Sequence, residues 1–424
     1  MRAKGERPAA ANGAAPRLVT APSARAKPPP MQSARPILPL AAATCLAIVA
    51  LGIVMPVLPF YVVDLGGGMD LAPLIFSTFS AAALVSAPFW GRISDRIGRR
   101  PVLLLAIAAT ALAYLWLALA QEIWELFASR AFAGFTAGWM AASQAYVSDV
   151  TDEENRARGM GLLGAAFGVG FTVGPGVGGL AVGDGSGAAD YVLPSLLAAG
   201  FAFAALLVTL FFVKEPERRS RGQLPEVRFE ALRNPAIARL LLLYFLVALV
   251  FTALEGVFAV WAADQFGLGA QDVAWYLVFA GLVTVVVQGG LVGGLARRVG
   301  EARLTTAAVL ILFASAMALI VVTTPWQIYL PMGLLALGMG LNNPACQSLL
   351  SRTAPDHLKG AVLGAAQSAQ SLARIAGPAW AGAAFGAFGP QSPFVIAGVL
   401  LVAALVVSLG VVRRFPHPTP AAAE

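Results

Sequence analysis

The chain has 424 residues, 58% of them apolar and only 12% charged, with a mean hydropathy of +0.76. A soluble domain is about half apolar and about a quarter charged, so soluble enzyme folds are excluded. Fibres and disulfide scaffolds are excluded with them, since there are two cysteines. The net charge of +7 would suit nucleic acid, but where the cations fall along the chain argues otherwise.

Residues 1–36 are basic and rich in Ala and Pro, and read as a disordered tail with no secretory cleavage site. Met31 offers a second translation start. Beyond it come apolar runs near 20 residues, enough to cross a hydrocarbon core of about 30 Å. Twelve spans are predicted: 37–63, 72–90, 101–120, 123–148, 159–183 and 191–213, then 236–263, 273–296, 304–323, 326–350, 360–388 and 392–412. Stretches such as 240–251 (LLLLYFLVALVF) lack the alternation of a barrel strand, so the spans are helices. The predicted fold is an all-α integral membrane protein. Two pseudo-symmetric six-helix bundles (37–213 and 236–413) are joined by the polar connector 214–235 and followed by a tail, 414–424.

Cations stay on the cytoplasmic side of membrane helices. With the N-terminus inside, the inner segments hold 27 of the 29 Lys and Arg, and the outer loops hold none. The remaining two, Arg130 and Arg374, fall inside spans. Both chain ends are therefore expected in the cytoplasm. The basic balance needs no nucleic acid. Cys45 and Cys346 lie within spans and read as apolar fillers.

Two marks recur across the connector. GRISDRIGRR (91–100) is echoed by GGLARRVGEA 202 residues on (91 to 293), and Gly174-Pro175 by Gly377-Pro378 203 residues on (174 to 377). Such duplication suits a transporter whose halves rock around a midplane site.

The 91–100 segment resembles the loop signature of the major facilitator superfamily, Gly-x-Leu-x-Asp-Arg-x-Gly-Arg-Arg, with Ile93 at the Leu position. The fifth span is similar to the pattern of the drug/proton antiporters, with Gly161, Gly170, Gly174, Pro175, Gly178 and Gly179 at every expected spacing. GIVMPVLP (52–59) and residues 87–105 are similar to bacterial tetracycline efflux proteins and their multidrug relatives.

The resemblance implies a conformational latch built from Gly91, Asp95, Arg96, Gly98, Arg99, Arg100 and Asp149. Gly91 would end the second helix and allow close approach. Asp95 would sit at the N-terminus of the eleventh helix, near Lys359 and Gly360, held by the helix dipole. Arg99 would reach Asp149. The contacts would close when the cavity faces outward; Arg297, in place of the aspartate, leaves the echo loop without an equivalent. The glycines at 170, 174 and 178 share one face and are expected to pack tightly against the other half, with a kink at Pro175.

Charge inside a bilayer is costly and usually marks function. Glu255 is the only deep carboxylate, and either Arg130 or Arg374 is deep enough to pair with it. Glu255, Arg130 and Arg374 are the expected proton-coupling set, Arg130 matching a fourth-helix arginine that the family associates with proton transfer. The acidic residues of tetracycline exporters are replaced by Ala47 and Ala113, so metal–tetracycline chemistry is not carried over. In this superfamily the first, fourth, seventh and tenth helices line the cavity. The candidates there are Tyr61, Trp139, Gln144, Phe258, Trp261, Asn342, Asn343 and Gln347, with a helix break expected at Pro344.

The resulting expectation is a proton-coupled exporter of small amphipathic drug-like molecules in a bacterial inner membrane. It would act as a monomer, with a small-molecule substrate, protons and the lipid bilayer as partners. No metal, cofactor, ATP or enzymatic activity is expected. A symporter or facilitator for a nutrient such as a sugar or organic acid is the alternative.

Overall fold

A computed structural model describes residues 37–151, 153–183, 188–216, 234–355 and 358–414. The expectations for the tail 1–36, for residues 217–233 of the connector and for residues 415–424 lie outside them.

Among the described residues every regular element is helical. In chain order these are α1 (Ile37–Asp64), α2 (Leu74–Ile97), α3 (Arg99–Ala118), α4 (Ile123–Phe135 and Gly138–Val150), α5 (Glu153–Ala181) and α6 (Val192–Phe212). The second six are α7 (Pro235–Phe266), α8 (Ala270–Val299), α9 (Glu301–Val321), α10 (Tyr329–Thr353), α11 (Lys359–Phe388) and α12 (Ser392–Arg414). Among the described residues nine are long and apolar enough to cross a membrane. The other three are α4, α10 and α11. The first is broken into two 13-residue pieces, and the others carry amides and charge, such as Asn342, Asn343, Gln370 and Arg374. Apolar side chains face outward along the bundle, Val85 at 72% exposure and Phe211 at 71% among them. In water these would be a liability; in lipid they meet a like solvent.

Local chemistry sets the breaks and ends. Pro56 cannot donate a backbone N–H, and α1 is interrupted by a turn over 55–57. α4 breaks without a proline: Trp90 occupies the space beside Gly138, and its indole N–H donates to the Phe135 carbonyl freed there, at 2.6 Å. α2 does not end at Gly91. It runs to Ile97 and stops at Gly98, whose φ of +110° only glycine adopts readily. Gly300 does the same 202 residues later (98 to 300), with φ +85° between α8 and α9. α10 runs unbroken through Pro344, against expectation. A membrane helix tolerates the lost hydrogen bond when neighbouring groups satisfy the freed carbonyl.

The same packing scheme recurs in the two halves. α1 packs on α5 and α6 as α7 packs on α11 and α12, and α3 meets α6 as α9 meets α12. The main contacts between halves are α5 with α8 and α2 with α11, again a symmetric pair. Both Gly-Pro marks sit at a close helix crossing within their own half. A Cβ on Gly174 would lie 2.7 Å from the backbone of Val49 and Gly52, and a Cβ on Gly256 would lie 2.8 Å from Pro378.

Candidate functional site

A cavity of about 480 Å³ lies between the halves. Its walls are largely apolar, with Met55, Phe76 and Phe79 from the first half and Phe251, Phe258 and Met339 from the second. Arg130, Glu255 and Arg374 all border it, so α4, α7 and α11 bring the three charges set deep in the predicted spans to one space.

Their environments differ. Arg130 is 1% exposed and lies over the Tyr114 ring, 4.9 Å from its centroid. Its Nε and Nη2 have no hydrogen-bond partner among the described residues. Arg374 opens into the cavity, and Glu255 is partly buried. α7 and α11 are pinned beside these two residues by the Thr252 hydroxyl, which donates to the Ala373 carbonyl at 2.9 Å. Among the described residues, no ion pair within 4 Å joins Glu255 to either arginine. Glu255 also borders a second gap of about 10 Å³, which shares Met55, Phe76, Phe258 and Leu277 with the cavity and adds Pro59 and Val273. That is room for about one water.

The cavity candidates divide. Phe258 and Asn343 border it. The other six do not, and the reason is the direction of each side chain on its helix. Tyr61 is buried in the core and donates to the Ala120 carbonyl at 2.7 Å. Trp261 packs edge-on against Phe394, and Trp139 is in the core of the first half. Asn342 is buried beside Cys346, whose thiol approaches its Oδ1 at 3.5 Å. Gln144 is exposed elsewhere. Gln347 supports the site indirectly: with Tyr244 it bonds Asn343, the tyrosine hydroxyl donating to Asn343 Oδ1 at 2.6 Å. Ser80, Thr284, Gln288 and Gln370 border the cavity and were not anticipated. An amide in an otherwise apolar span is the signal that marks Gln288 and Gln370; the hydroxyls of Ser80 and Thr284 carry no such signal, since a membrane helix can bond such groups to its own carbonyls, as Thr284 does to Ala280.

Where the halves touch is also specific. The face bearing the chain termini is here the terminal face, and the opposite one the distal face. α2 and α11 meet towards the distal face, where Ser77 donates to the Ile375 carbonyl at 2.7 Å and Asp70 lies against Gly386. α5 meets α8 through Gly176 beside Val278 and Thr172 beside Gly281. Towards the terminal face, a Cβ on Gly91, Gly161, Gly164, Gly289 or Gly364 would meet nothing within 4 Å. Tyr191 closes the distal end of the first half by donating to Asp64 Oδ2 at 2.7 Å. Burial first, and that carboxylate second, hold its phenol well above the ordinary range, so it stays a donor.

This geometry corrects the glycine stripe. Gly170, Gly174 and Gly178 face α1 of their own half, against Ile48, Gly52 and Ile53. Of the six motif positions it is Gly179, against Ala274, that meets the other half. Residues 168, 172 and 176 lie on a neighbouring helical face, and that face is the one turned to α8.

At the terminal end of α2 and α3, Arg99 binds Asp149 at 2.7 Å and Asp95 at 2.9 Å, and donates to Ser94 at 2.8 Å. One partner of Asp95 is therefore Arg99, four residues on in the same segment. Glu215, at the start of the connector, accepts the backbone N–H groups of Arg99 and Arg100 at 2.7 and 2.8 Å and so caps α3. The echo loop does have a counterpart, with the charges exchanged. Glu301, 202 residues after Arg99, binds Arg352, 203 residues after Asp149, at 3.1 Å.

The Major Facilitator Superfamily model matches residues 40–378, and the chain belongs to that superfamily. It is a multi-pass membrane transporter and not an enzyme, and it handles small molecules within the membrane. Among individual proteins it is 30% identical to the class C tetracycline resistance protein of Escherichia coli, over 82% of this chain and 89% of that one. It is 29% identical to multidrug resistance protein 2 of Bacillus subtilis, over 85% and 90%. The solved nucleoside transporter NupG has the same fold, with a TM-score of 0.75, 13% identity, and 88% of this chain and 99% of that one covered.

Proposed function

We propose that this protein exports small amphipathic drug-like molecules in exchange for protons, in a bacterial inner membrane with both chain ends in the cytoplasm. The observation that carries the reading is Glu255: a carboxylate on the wall of the cavity that Arg130 and Arg374 also border, and, among the described residues, in ion contact with neither. A carboxylate there is costly to keep ionised, so it takes a proton readily and gives it up when water or a cation arrives. Proton and substrate then exclude each other, which is what exchange requires. Arg130 and Arg374 set how firmly the proton is held. The names of the two relatives, which speak of tetracycline and multidrug resistance, support export.

The cavity opens alternately to the two faces. The distal contacts described above hold one state. Asp95, Arg96, Gly98, Arg99, Arg100 and Asp149, with Gly91 leaving room for approach, latch the terminal face in the other. Gly170, Gly174 and Gly178, with Pro175, keep α5 close to α1, so that α5 moves as part of its half, while Gly179 meets α8 and Gly161 stands in open space.

Everted vesicles energised by a pH gradient and given a panel of dyes and antibiotics test this. Wild type is expected to release protons on substrate addition and Glu255→Gln to release none. Equal transport by both would remove the carboxylate from the mechanism, and protons moving with the substrate would make the protein an importer.

A further inference from the structure

The charges of the cavity do not balance, and the imbalance specifies a ligand. Two arginines and one carboxylate border the same space. Arg130 keeps two N–H-bearing atoms, Nε and Nη2, buried and without a partner. Burying such donors without an acceptor is expensive, more so for a charged group. Arg374 opens into the same space with no ion pair within 4 Å among the described residues. A guanidinium presents a planar fork that fits a carboxylate or another flat oxyanion.

A purely cationic compound would satisfy Glu255 but add positive charge beside two arginines. A purely anionic compound would suit the arginines but would favour protonated Glu255, coupling proton and substrate in the same direction. A molecule carrying both charges resolves the two conflicts. Its ammonium group takes Glu255 only after the proton has left, and its acid group occupies the arginine side. Phe79, Phe251 and Phe258 offer apolar walls for a flat body between the two ends.

We propose that the cavity selects zwitterionic amphipaths: a basic nitrogen placed at Glu255, an acid group at Arg374 and Arg130, and an aromatic body against the phenylalanines. The inference rests on the exporter reading for its physiological meaning, although its binding test requires no transport.

The test uses the full chain, purified in lipid nanodiscs, and three compounds measured by titration calorimetry. They are a fluoroquinolone with free amine and free acid, its methyl ester (cation only), and its N-acetyl derivative (anion only). The parent is expected to bind about tenfold more tightly than either derivative. Arg374→Gln should bring the ratio of parent to ester down to about one, and Glu255→Gln should do the same for parent against N-acetyl compound. Arg374→Lys, which keeps the charge, should retain part of the preference and so controls for misfolding. A derivative that binds as tightly as the parent overturns the proposal, as does no binding of any of the three or an equal loss of all three in Arg374→Gln. Vesicle transport separates the two readings. A preferred parent that is not exported defeats the export reading alone, and export of parent and ester at equal rates defeats the charge selection alone.

Discussion

Tyr61 and Trp261 show how residue type misleads inside a membrane protein. Both are large aromatics on cavity-lining helices, yet each is turned into the packing of its own half. Tyr61→Phe deletes only the hydroxyl's bonds to the Ala120 and Leu117 carbonyls, so the expected loss is about 1 kcal/mol of stability with transport intact. Phe251→Ala, which opens the cavity wall, should instead change substrate affinity; thermal melts and uptake assays on the same preparations separate the two. The glycines permit a matched comparison. Gly174→Ala forces a Cβ onto the backbone of α1 and should lower stability by about 1–3 kcal/mol. Gly161→Ala meets open space and should be neutral, or stabilising by up to about 1 kcal/mol through helix propensity. A Gly161→Ala protein that melts earlier than Gly174→Ala would reverse the assignment of faces.

At the scale of elements, the halves brace their third and fourth helices with the same geometry and exchanged charges, Arg99 with Asp149 and Glu301 with Arg352. The repeat is visible in the primary structure as the offsets of 202 and 203. Comparing single motif positions drew attention to Arg297 and away from Glu301, whose role depends on Arg352 being folded beside it. Arg352 is 75% exposed, so the pair contributes little, about 0.2–1 kcal/mol. A double-mutant cycle over Glu301→Arg and Arg352→Glu should show both single variants destabilised and the double variant restored; additive losses would mean the two residues do not interact. The cap by Glu215 was invisible for the same reason, since 116 residues separate it from Arg99.

For the whole molecule, the halves meet towards the distal face and leave open space beside the glycines of the terminal face. Rocking would have to break the contact between Ser77 and Ile375. A short bifunctional reagent joining cysteines at 77 and 375 should therefore stop transport, and reduction of a cleavable reagent should restore it. Continued transport in the joined protein would exclude rocking at this contact.

Composition and periodicity alone determined the helical class, because lipid demands satisfied backbones and long apolar runs from every span, and the offsets of the recurring strings disclosed the duplication. The family was readable for a similar reason: its motifs are local strings, fixed by backbone spacing. The three cavity charges were legible too, since a charge in an apolar run announces itself whatever its neighbours. What only the tertiary structure decided was direction. Which face of α5 meets which partner, which aromatics turn to the cavity, and whether Glu255 is paired all depend on helix rotation. In an interior where nearly every side chain is apolar, hydrophobic pattern does not encode that rotation.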